Sequence, residues 1–341
     1  MAYTNFHPKD NFSCKLYTGN GANNNAITSV GFKSDFTWIK ARANTYDHMI
    51  FDSLRGTASL RENLRSNSTD ASDNDASNMK TFDSDGFTLN LGGYVNNAVP
   101  FVSWNWRGGT TSGITAGSQT ITPSAYSINA AAGFGVYKWS RSGASTTDFF
   151  SHGLGTTPTI AIQKRLDGAQ DWYVNYTVVD GSNDNLHLNN NSVHEDDSTT
   201  VPTSTNYYPK SPETGDYITY LFSPRVGHLK TGSYLGNGET TYGSFITTGF
   251  KPNFLLVKGH DVNDNWSIFD GKREGYNTVN EVMYPDLTNV ESNGLPVSFH
   301  ANGFKWNTGA AMVNGSGSTF VYIAIASESL VSLNNIPATA Y

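Results

Sequence analysis

The same ten-residue phrase occurs twice in the chain, 218 residues apart. Residues 31–40 read GFKSDFTWIK and residues 249–258 read GFKPNFLLVK, with Gly, Phe, Lys, Phe and Lys in matching columns. Four further phrases recur in the same order at offsets of 217 to 219 residues; YTGNG at 17–21, for example, returns as YLGNG at 234–238. A series of this kind indicates an internal duplication of roughly a hundred residues.

A third and more divergent copy lies between the two. GTTPTIAIQK at 155–164 aligns with the repeated phrase, WSRSG at 139–143 takes the place of YTGNG, and DYITYLF at 216–222 closes the unit. This copy lacks the Asp and the Arg of the IFDxxR phrase, which both outer copies keep. The pattern therefore predicts three tandem units, of which the middle one is divergent.

The repeated phrases have the periodicity of half-buried strands. Phe36 and Trp38 are separated by Thr37, and Phe254 and Leu256 occupy the same two columns in the last copy. A period of two with one large apolar face is typical of a strand. Aromatic residues make up 13% of the chain and charged residues only 15%, a composition that favours strands over helices. We therefore predict an all-β fold of three tandem antiparallel β-sandwich repeats.

The composition between the repeats gives the predicted domain boundaries. Gly, Ser and Thr dominate the stretch after the first repeat, as in a linker or an extended arm. The predicted divisions are a first β-sandwich at 1–109, a Ser/Thr/Gly linker at 110–128, a divergent second repeat at 129–227 and a third β-sandwich at 228–341.

Charge and hydropathy exclude several classes of protein. The formal net charge of −7 is opposite in sign to that of a protein that follows the phosphates of nucleic acid. No run of eighteen apolar residues is present, so we expect no membrane insertion. The first residues lack the pattern of a signal peptide. Because Cys14 is the single cysteine, no disulfide forms within the chain, and synthesis in a reducing cytoplasm is expected.

The phrases themselves are similar to those of a known family. LYTGNG, GFKSDFTWIKAR, DHMIFDSLRG and FDSDGFTL resemble the tandem YTGNG, GFQPDFVWIKxR, DSxRG and SDGFxL phrases of tail-fibre-like structural proteins of tailed bacteriophages, common in marine and cyanobacterial phages. SHGLGTTPTIAIQKR in the middle unit is similar to the HGLGxxPxxIIVKRR phrase of second copies. The chain departs from the family pattern at Ser34, where the family has Pro, and in the missing Asp-x-x-Arg pair of the second unit.

The resemblance implies a virion protein built from lectin-like (jelly-roll) β-sandwich repeats. It implies assembly in the host cytoplasm, contacts with other tail or capsid proteins, and a place on a tail fibre or appendage where the chain contributes to adsorption on host-surface glycans. A homo-oligomer is expected, with a trimer favoured because fibre proteins are usually trimers. One alternative is a capsid-decorating or head-fibre protein. A less favoured alternative is a tail-spike enzyme that degrades polysaccharide.

One charged pair is kept in both outer units. Asp52 with Arg55, and Asp270 with Arg273, occupy the IFDxxR phrase and its counterpart. Arg can clamp a ligand because its planar fork binds carboxylates and hydroxyls. The alternative is that Asp ends a strand and pairs with Arg across the following turn. We favour the structural interpretation, since the middle unit lacks the pair.

Aromatic residues near Asn-rich segments are candidates for glycan contacts. Exposed aromatic rings stack on sugar faces, while Asn and Asp side chains bind the hydroxyl groups. Trp139, Tyr207 and Tyr208 are the residues predicted to have this role, although most aromatic residues in such a chain belong to the core.

The sequence gives no positive sign of a catalytic, metal or cofactor site. HEDD at 194–197 matches no metal-binding spacing and is interpreted as a solvated acidic loop. DASDNDASN at 70–78 resembles a calcium loop but lacks its Gly and its closing Glu. The pattern GxSxG, the pattern HExxH and a P-loop are all missing from the sequence. We therefore predict a protein that is not an enzyme and that uses no cofactor.

Overall fold

A computed structural model describes residues 6–114, 119–143, 147–210 and 213–327. Within these ranges nearly all regular structure is β, which confirms the predicted all-β class. Helix is limited there to a 3₁₀ turn at Pro8–Asp10 and two four-residue helices. None of the described helices is long and apolar enough to cross a membrane.

Unit 1 is the part of the fold formed by the first eight strands. Its main sheet has the order β1-β8-β3-β4-β5, and a three-stranded sheet of order β2-β7-β6 covers one face. The strands of both sheets pair in antiparallel orientation. The elements are β1 Phe12–Thr18, β2 Asn25–Ile27, β3 Phe36–Ala41, β4 Met49–Asp52, β5 Leu64–Arg65, β6 Met79–Asp83, β7 Gly86–Leu89, α1 Gly93–Asn96 and β8 Pro100–Trp106.

Unit 2 contains the next nine strands. Its main sheet has seven strands in the order β15-β14-β13-β12-β17-β10-β9, and β11 pairs with β16 in a small second sheet. Strand β9 lies partly in the segment that the composition predicts to be a linker. The elements are β9 Ala125–Asn129, β10 Phe134–Arg141, β11 Phe150–Ser151, β12 Ile160–Arg165, β13 Tyr173–Tyr176, β14 Asp184–His187, β15 Glu195–Asp196, β16 Asn206–Tyr207 and β17 Gly215–Phe222.

Unit 3 contains the last seven strands and has the strand order of unit 1. Its main sheet is β18-β24-β20-β21, covered by a sheet of order β19-β23-β22. The elements are β18 Leu229–Leu235, β19 Phe245–Thr247, β20 Phe254–Gly259, β21 Ser267–Asp270, β22 Val297–His300, β23 Gly303–Trp306, α2 Ala311–Asn314 and β24 Thr319–Ile325.

The repeated YTGNG phrase is explained by close contact with a short helix. A Cβ atom added at Gly19 would lie 2.0 Å from the Asn97 carbonyl oxygen, so only glycine fits. The buried Asn96 side chain at the end of α1 accepts a hydrogen bond from the Asn20 backbone at 3.1 Å. Asn314 at the end of α2 accepts the same bond from the Asn237 backbone. The phrase is thus a structural feature of both outer units.

The three main sheets pack against one another around a single shared core. One buried cluster contains apolar side chains from all three units, while each unit keeps a further cluster between its own two layers. Aromatic rings meet across the unit boundaries. The ring centres of Phe36 and Tyr220 lie 4.4 Å apart, and those of Trp106 and Phe254 lie 5.4 Å apart. Because both faces of the main sheets are buried, their central strands are almost wholly inaccessible to solvent.

Candidate functional site

The two Asp–Arg pairs are fully buried and have the same geometry. In each, the Arg Nε atom donates to the Asp Oδ2 atom at 2.6 Å, and the second carboxylate oxygen accepts two backbone N–H groups of the following turn. The exposed fraction of all four side chains is zero. The pairs are Asp52 with Arg55 and Asp270 with Arg273. Neither pair is open to a ligand from solvent, so neither can serve as a ligand clamp.

Each buried carboxylate also receives a hydrogen bond from a neighbouring unit. The Tyr220 hydroxyl of unit 2 donates to Asp52 Oδ2 at 2.8 Å, and Trp104 Nε1 of unit 1 donates to Asp270 Oδ2 at 3.0 Å. Burial alone would raise the pKa of Asp270, but the charge and hydrogen bonds of Arg273 and the bond from Trp104 lower it below its ordinary value. The repeated pairs therefore join units rather than bind a ligand.

The boundary between units 2 and 3 has uncharged residues where the other two boundaries have a buried Asp–Arg pair and its donor. Strand pairing places Tyr176 opposite Ile160, as Asp52 lies opposite Phe36 and Asp270 opposite Phe254. The corresponding neighbour in unit 3 is the apolar Ile323, which lines a small cavity together with Tyr176. Unit 2 therefore has no carboxylate at this position, and unit 3 has no hydrogen-bond donor opposite it.

A second set of contacts gives the units a cyclic order. Trp172 Nε1 of unit 2 donates to the Arg65 carbonyl of unit 1, and Trp266 Nε1 of unit 3 donates to the His187 carbonyl of unit 2. His48 stands at the matching position of unit 1, and the Ser66 hydroxyl of the same unit donates to the Pro285 carbonyl of unit 3 at 2.7 Å. Each unit therefore contacts the other two through different surfaces. We call these boundaries the 1–2, 2–3 and 3–1 seams.

The 3–1 seam contains a cleft of about 1110 Å³. Strand β1, which contains Cys14, lines one side of the cleft, and residues 251–253 before β20 and the turn after β21 line the other. Burial and the neighbouring Asp270 carboxylate raise the pKa of the Cys14 thiol well above its ordinary value, so the thiol is protonated. A volume of this size accommodates a drug-sized molecule or a short saccharide.

One residue that lines the cleft differs in character from its counterparts in the other two units. Leu54 follows Asp52 by two residues, Val178 follows Tyr176 by two, and both pack partly buried against the shared core. Lys272 occupies this position in unit 3 and lines the cleft instead. A charged side chain leaves the apolar contact unfilled, because burying an unpaired ammonium group is unfavourable.

Three lysines line the cleft without a partner. Among the residues that the structure describes, the ammonium groups of Lys9, Lys251 and Lys272 make no ion pair and no hydrogen bond. One carboxylate residue, Asp10, lines the same space, and Tyr276 lies at its edge with 68% of its surface exposed. The cleft is therefore a locally positive region on a chain of net charge −7.

The residues predicted to contact glycans do not form one site. Trp139 and Tyr207 are 0% and 1% exposed and lie in the core of unit 2, so the prediction that they contact a glycan is wrong for both. Trp139 stacks on Tyr217 and donates to the Thr219 hydroxyl at 2.9 Å. Tyr208 is partly exposed, packs against Phe149 and does not line the cleft.

The acidic segment HEDD is not a free loop. Glu195 and Asp196 form strand β15, which pairs with β14. This pairing brings Asp196 and His194 together with Asp184, and one ligand atom from each lies within 4.8 Å of the others. Sequence spacing missed Asp184 because the residue belongs to a different strand.

The segment that resembles a calcium loop is occupied by internal contacts. Asp70 and Asp73 lie 3.2 and 3.5 Å from the Arg65 guanidinium, and Asp75 accepts hydrogen bonds from the Ser77 backbone and the Asn78 side chain. The Asp70 and Asp73 carboxylates therefore neutralise a cation that the chain itself supplies.

Comparison with protein families identifies the whole fold as one recognised domain. The model of a domain of unknown function, DUF7483, matches residues 7–329. The chain belongs to the DUF7483 family. The match covers all three units, so the DUF7483 domain corresponds to the fused three-unit body rather than to a single sandwich. No curated protein and no solved structure gives a significant match to the chain.

Proposed function

We propose that the chain is a structural protein of a phage virion, located on a tail fibre or related appendage, where it binds acidic glycans of the host surface. The observation that carries the binding part is the lysine-lined cleft at the 3–1 seam. Three unpaired ammonium groups and an exposed tyrosine ring are the groups that bind a carboxylated or sulfated saccharide, through charge and through stacking. The virion part rests on the resemblance of the repeated phrases.

The packing of the three units supports a mechanical role. The charged pairs that recur in the sequence are buried at the 1–2 and 3–1 seams, where they hold sandwiches together. A body whose units share one core transmits force without hinges between its domains, which suits an appendage exposed to shear. No cofactor takes part in this proposal.

The first test locates the chain in purified virions by cryo-electron microscopy, with antibody labelling as a check. Density on the tail or its fibres supports the proposal. Density spread over the head lattice overturns the tail location, and absence from the particle overturns the virion role.

A second test measures binding of the purified chain to an acidic polysaccharide, polygalacturonate, with neutral dextran as the comparison. The variant Lys9→Ala/Lys251→Ala/Lys272→Ala is expected to lose at least about tenfold in affinity at low salt. Lys230→Ala, which removes an exposed lysine outside the cleft, is the matched control. Equal binding by the triple variant and the control contradicts the assignment of the cleft.

One alternative is favoured by a specific observation. The cyclic order of the seams gives a single chain the contact pattern of a small trimer. Such a body can sit on a local threefold position of a capsid lattice, so a head-decorating protein is the second candidate. We also propose a homotrimer for the fibre role; light scattering distinguishes it from a chain of 37.1 kDa that stays single.

A further inference from the structure

Two carboxylates face each other directly across the strand pair β14 and β15. The register pairs Asp184 with Asp196. Like charges in directly opposed positions of an antiparallel pair destabilise it unless a positive charge lies between them. Asp184 is only 4% exposed, and among the described residues its carboxylate has no hydrogen bond and no ion pair. The carboxylate therefore has no protein group that compensates its charge.

The third member of the cluster is an oriented imidazole. His194 Nδ1 lies 3.1 Å from the carbonyl oxygen of His260, so Nδ1 carries the proton and donates it to that oxygen. The other ring nitrogen, Nε2, lies 3.8 Å from Asp196 Oδ1. A hydrogen bond from one ring nitrogen to a backbone carbonyl is the usual support of a histidine that binds metal through the other nitrogen.

We propose that Asp184, His194 and Asp196 bind a divalent transition-metal ion, with Zn²⁺ as the best fit. One ligand atom from each residue lies within 4.8 Å of the other two, which leaves a shared point for a cation. An imidazole nitrogen selects Zn²⁺ over Ca²⁺ and Mg²⁺, which prefer oxygen ligands alone. The side chain of Asp196 is 96% exposed, so solvent can complete the coordination.

The position of the site would give a bound ion a structural role. The site lies beside the 2–3 seam, since the His194 ring stacks on His260 of unit 3 at 3.6 Å. This seam lacks the Asp–Arg pair of the other two, so the metal would strengthen the boundary that has no buried ion pair.

The test is a titration of the purified full chain, free of any polyhistidine tag and treated with EDTA. Isothermal titration calorimetry with Zn²⁺ is expected to show one saturable site per chain in the micromolar range, and Ca²⁺ is expected to bind at least about tenfold more weakly. Mass spectrometry of the dialysed protein then counts the bound zinc. Lack of saturable Zn²⁺ binding, or equal binding of Ca²⁺, overturns the proposal.

Three variants test whether Zn²⁺ binds at this site rather than at another histidine. His194→Gln and Asp196→Asn change partly or fully exposed side chains, so the fold is retained, and each is expected to weaken Zn²⁺ binding about tenfold or more. Glu195→Gln is the matched control, because its side chain lies on the other face of the strand, 3.8 Å from His187. If His194→Gln and Asp196→Asn both bind Zn²⁺ with the affinity of the parent chain, the assignment is wrong. Near-ultraviolet circular dichroism confirms that each variant is folded.

Discussion

The 1–2 seam and the 3–1 seam use the same buried Asp–Arg pair, yet one is closed and the other is open. In the 1–2 seam, Leu54 packs on the shared core, and the Ser127 hydroxyl of β9 donates to Asp35 at 2.8 Å, which joins the units again. In the 3–1 seam, Lys272 replaces the apolar residue, and Asn253, the counterpart of Asp35, lines the cleft. The two seams thus share the buried ion pair and differ in the residue two places after the Asp, which is apolar at the closed seam and charged at the open one.

The largest effect is expected from breaking the closed seam at its charged centre. Arg55→Ala leaves the Asp52 carboxylate buried without its cation, so the free energy of unfolding should fall by about 3–5 kcal/mol. Guanidinium unfolding followed by tryptophan fluorescence measures this. Arg107→Ala, at an exposed position, is the control and should change stability by less than about 0.5 kcal/mol. A loss below about 1 kcal/mol at Arg55 would mean that the pair does not support the seam.

A second variant tests a carboxylate that only unit 3 has. Asp286 accepts a hydrogen bond from the Trp266 backbone. In units 1 and 2 the equivalent acceptors are the side chains of Asn67 and Asn189. Burial raises the pKa of Asp286 to about 7. Asp286→Asn should therefore raise the free energy of unfolding at pH 8 by about 2–4 kcal/mol, the upper value being the full shift converted to free energy.

The sign of this effect depends on pH. Below the ordinary pKa of 3.8, Asp286 is protonated in both the folded and the unfolded chain, so the variant gains nothing. Between that value and about 7, only the unfolded chain releases the proton, and the parent protein loses stability as the pH rises. Unfolding curves at pH 4 and pH 8 decide the matter; an equal gain at both values would contradict the assigned cause.

The hydrogen bond between units is tested with a smaller change. Tyr220→Phe removes the hydroxyl that donates to Asp52 and leaves the ring in place, so a loss of about 2 kcal/mol is expected. Tyr322→Phe is the matched control from the closing strand of unit 3, because its hydroxyl has no hydrogen bond among the described contacts. Equal losses in the two variants would show that the bond to Asp52 contributes nothing specific.

The smallest expected effect comes from exchanging the residues that distinguish the seams. Lys272→Leu should let an apolar side chain pack on the shared core, raising the free energy of unfolding by about 1 kcal/mol. Its affinity for polygalacturonate should fall at the same time. The reverse change, Leu54→Lys, should lower the stability by a similar amount. If Lys272→Leu changes neither property, the position does not control the opening of the cleft.

The repeat pattern predicted the strands well because each repeated phrase is one buried strand or one tight turn. Alternation of large residues in β3 and β20 correctly indicated a packed face. It did not reveal that this face packs on a core shared by all units, because periodicity shows which side is apolar and not which sheet it meets. The contact of Phe36 with Tyr220 joins residues 184 positions apart, beyond the reach of local patterns.

The site was less accessible to sequence reasoning than the fold. Trp139 and Tyr207 lie near polar segments in the sequence, but their side chains point into the core of unit 2. Asp184 joins His194 and Asp196 only through strand pairing. The signal for the cleft was present in the repeat itself, since aligning FDSLRG with FDGKREG places Lys272 opposite Leu54. Only the packing of the sheets shows that this position borders a cleft.

The cyclic order of the seams has a consequence for how such a protein can change. In an assembly of three identical chains, a lysine at the position of Lys272 would appear at every boundary. The stabilising packing would then be lost three times instead of once. In a single polypeptide that carries all three units, each substitution changes only one boundary. One seam can therefore acquire a cleft lined by lysines, and another a cluster of carboxylates and imidazole, while the third keeps its closed packing.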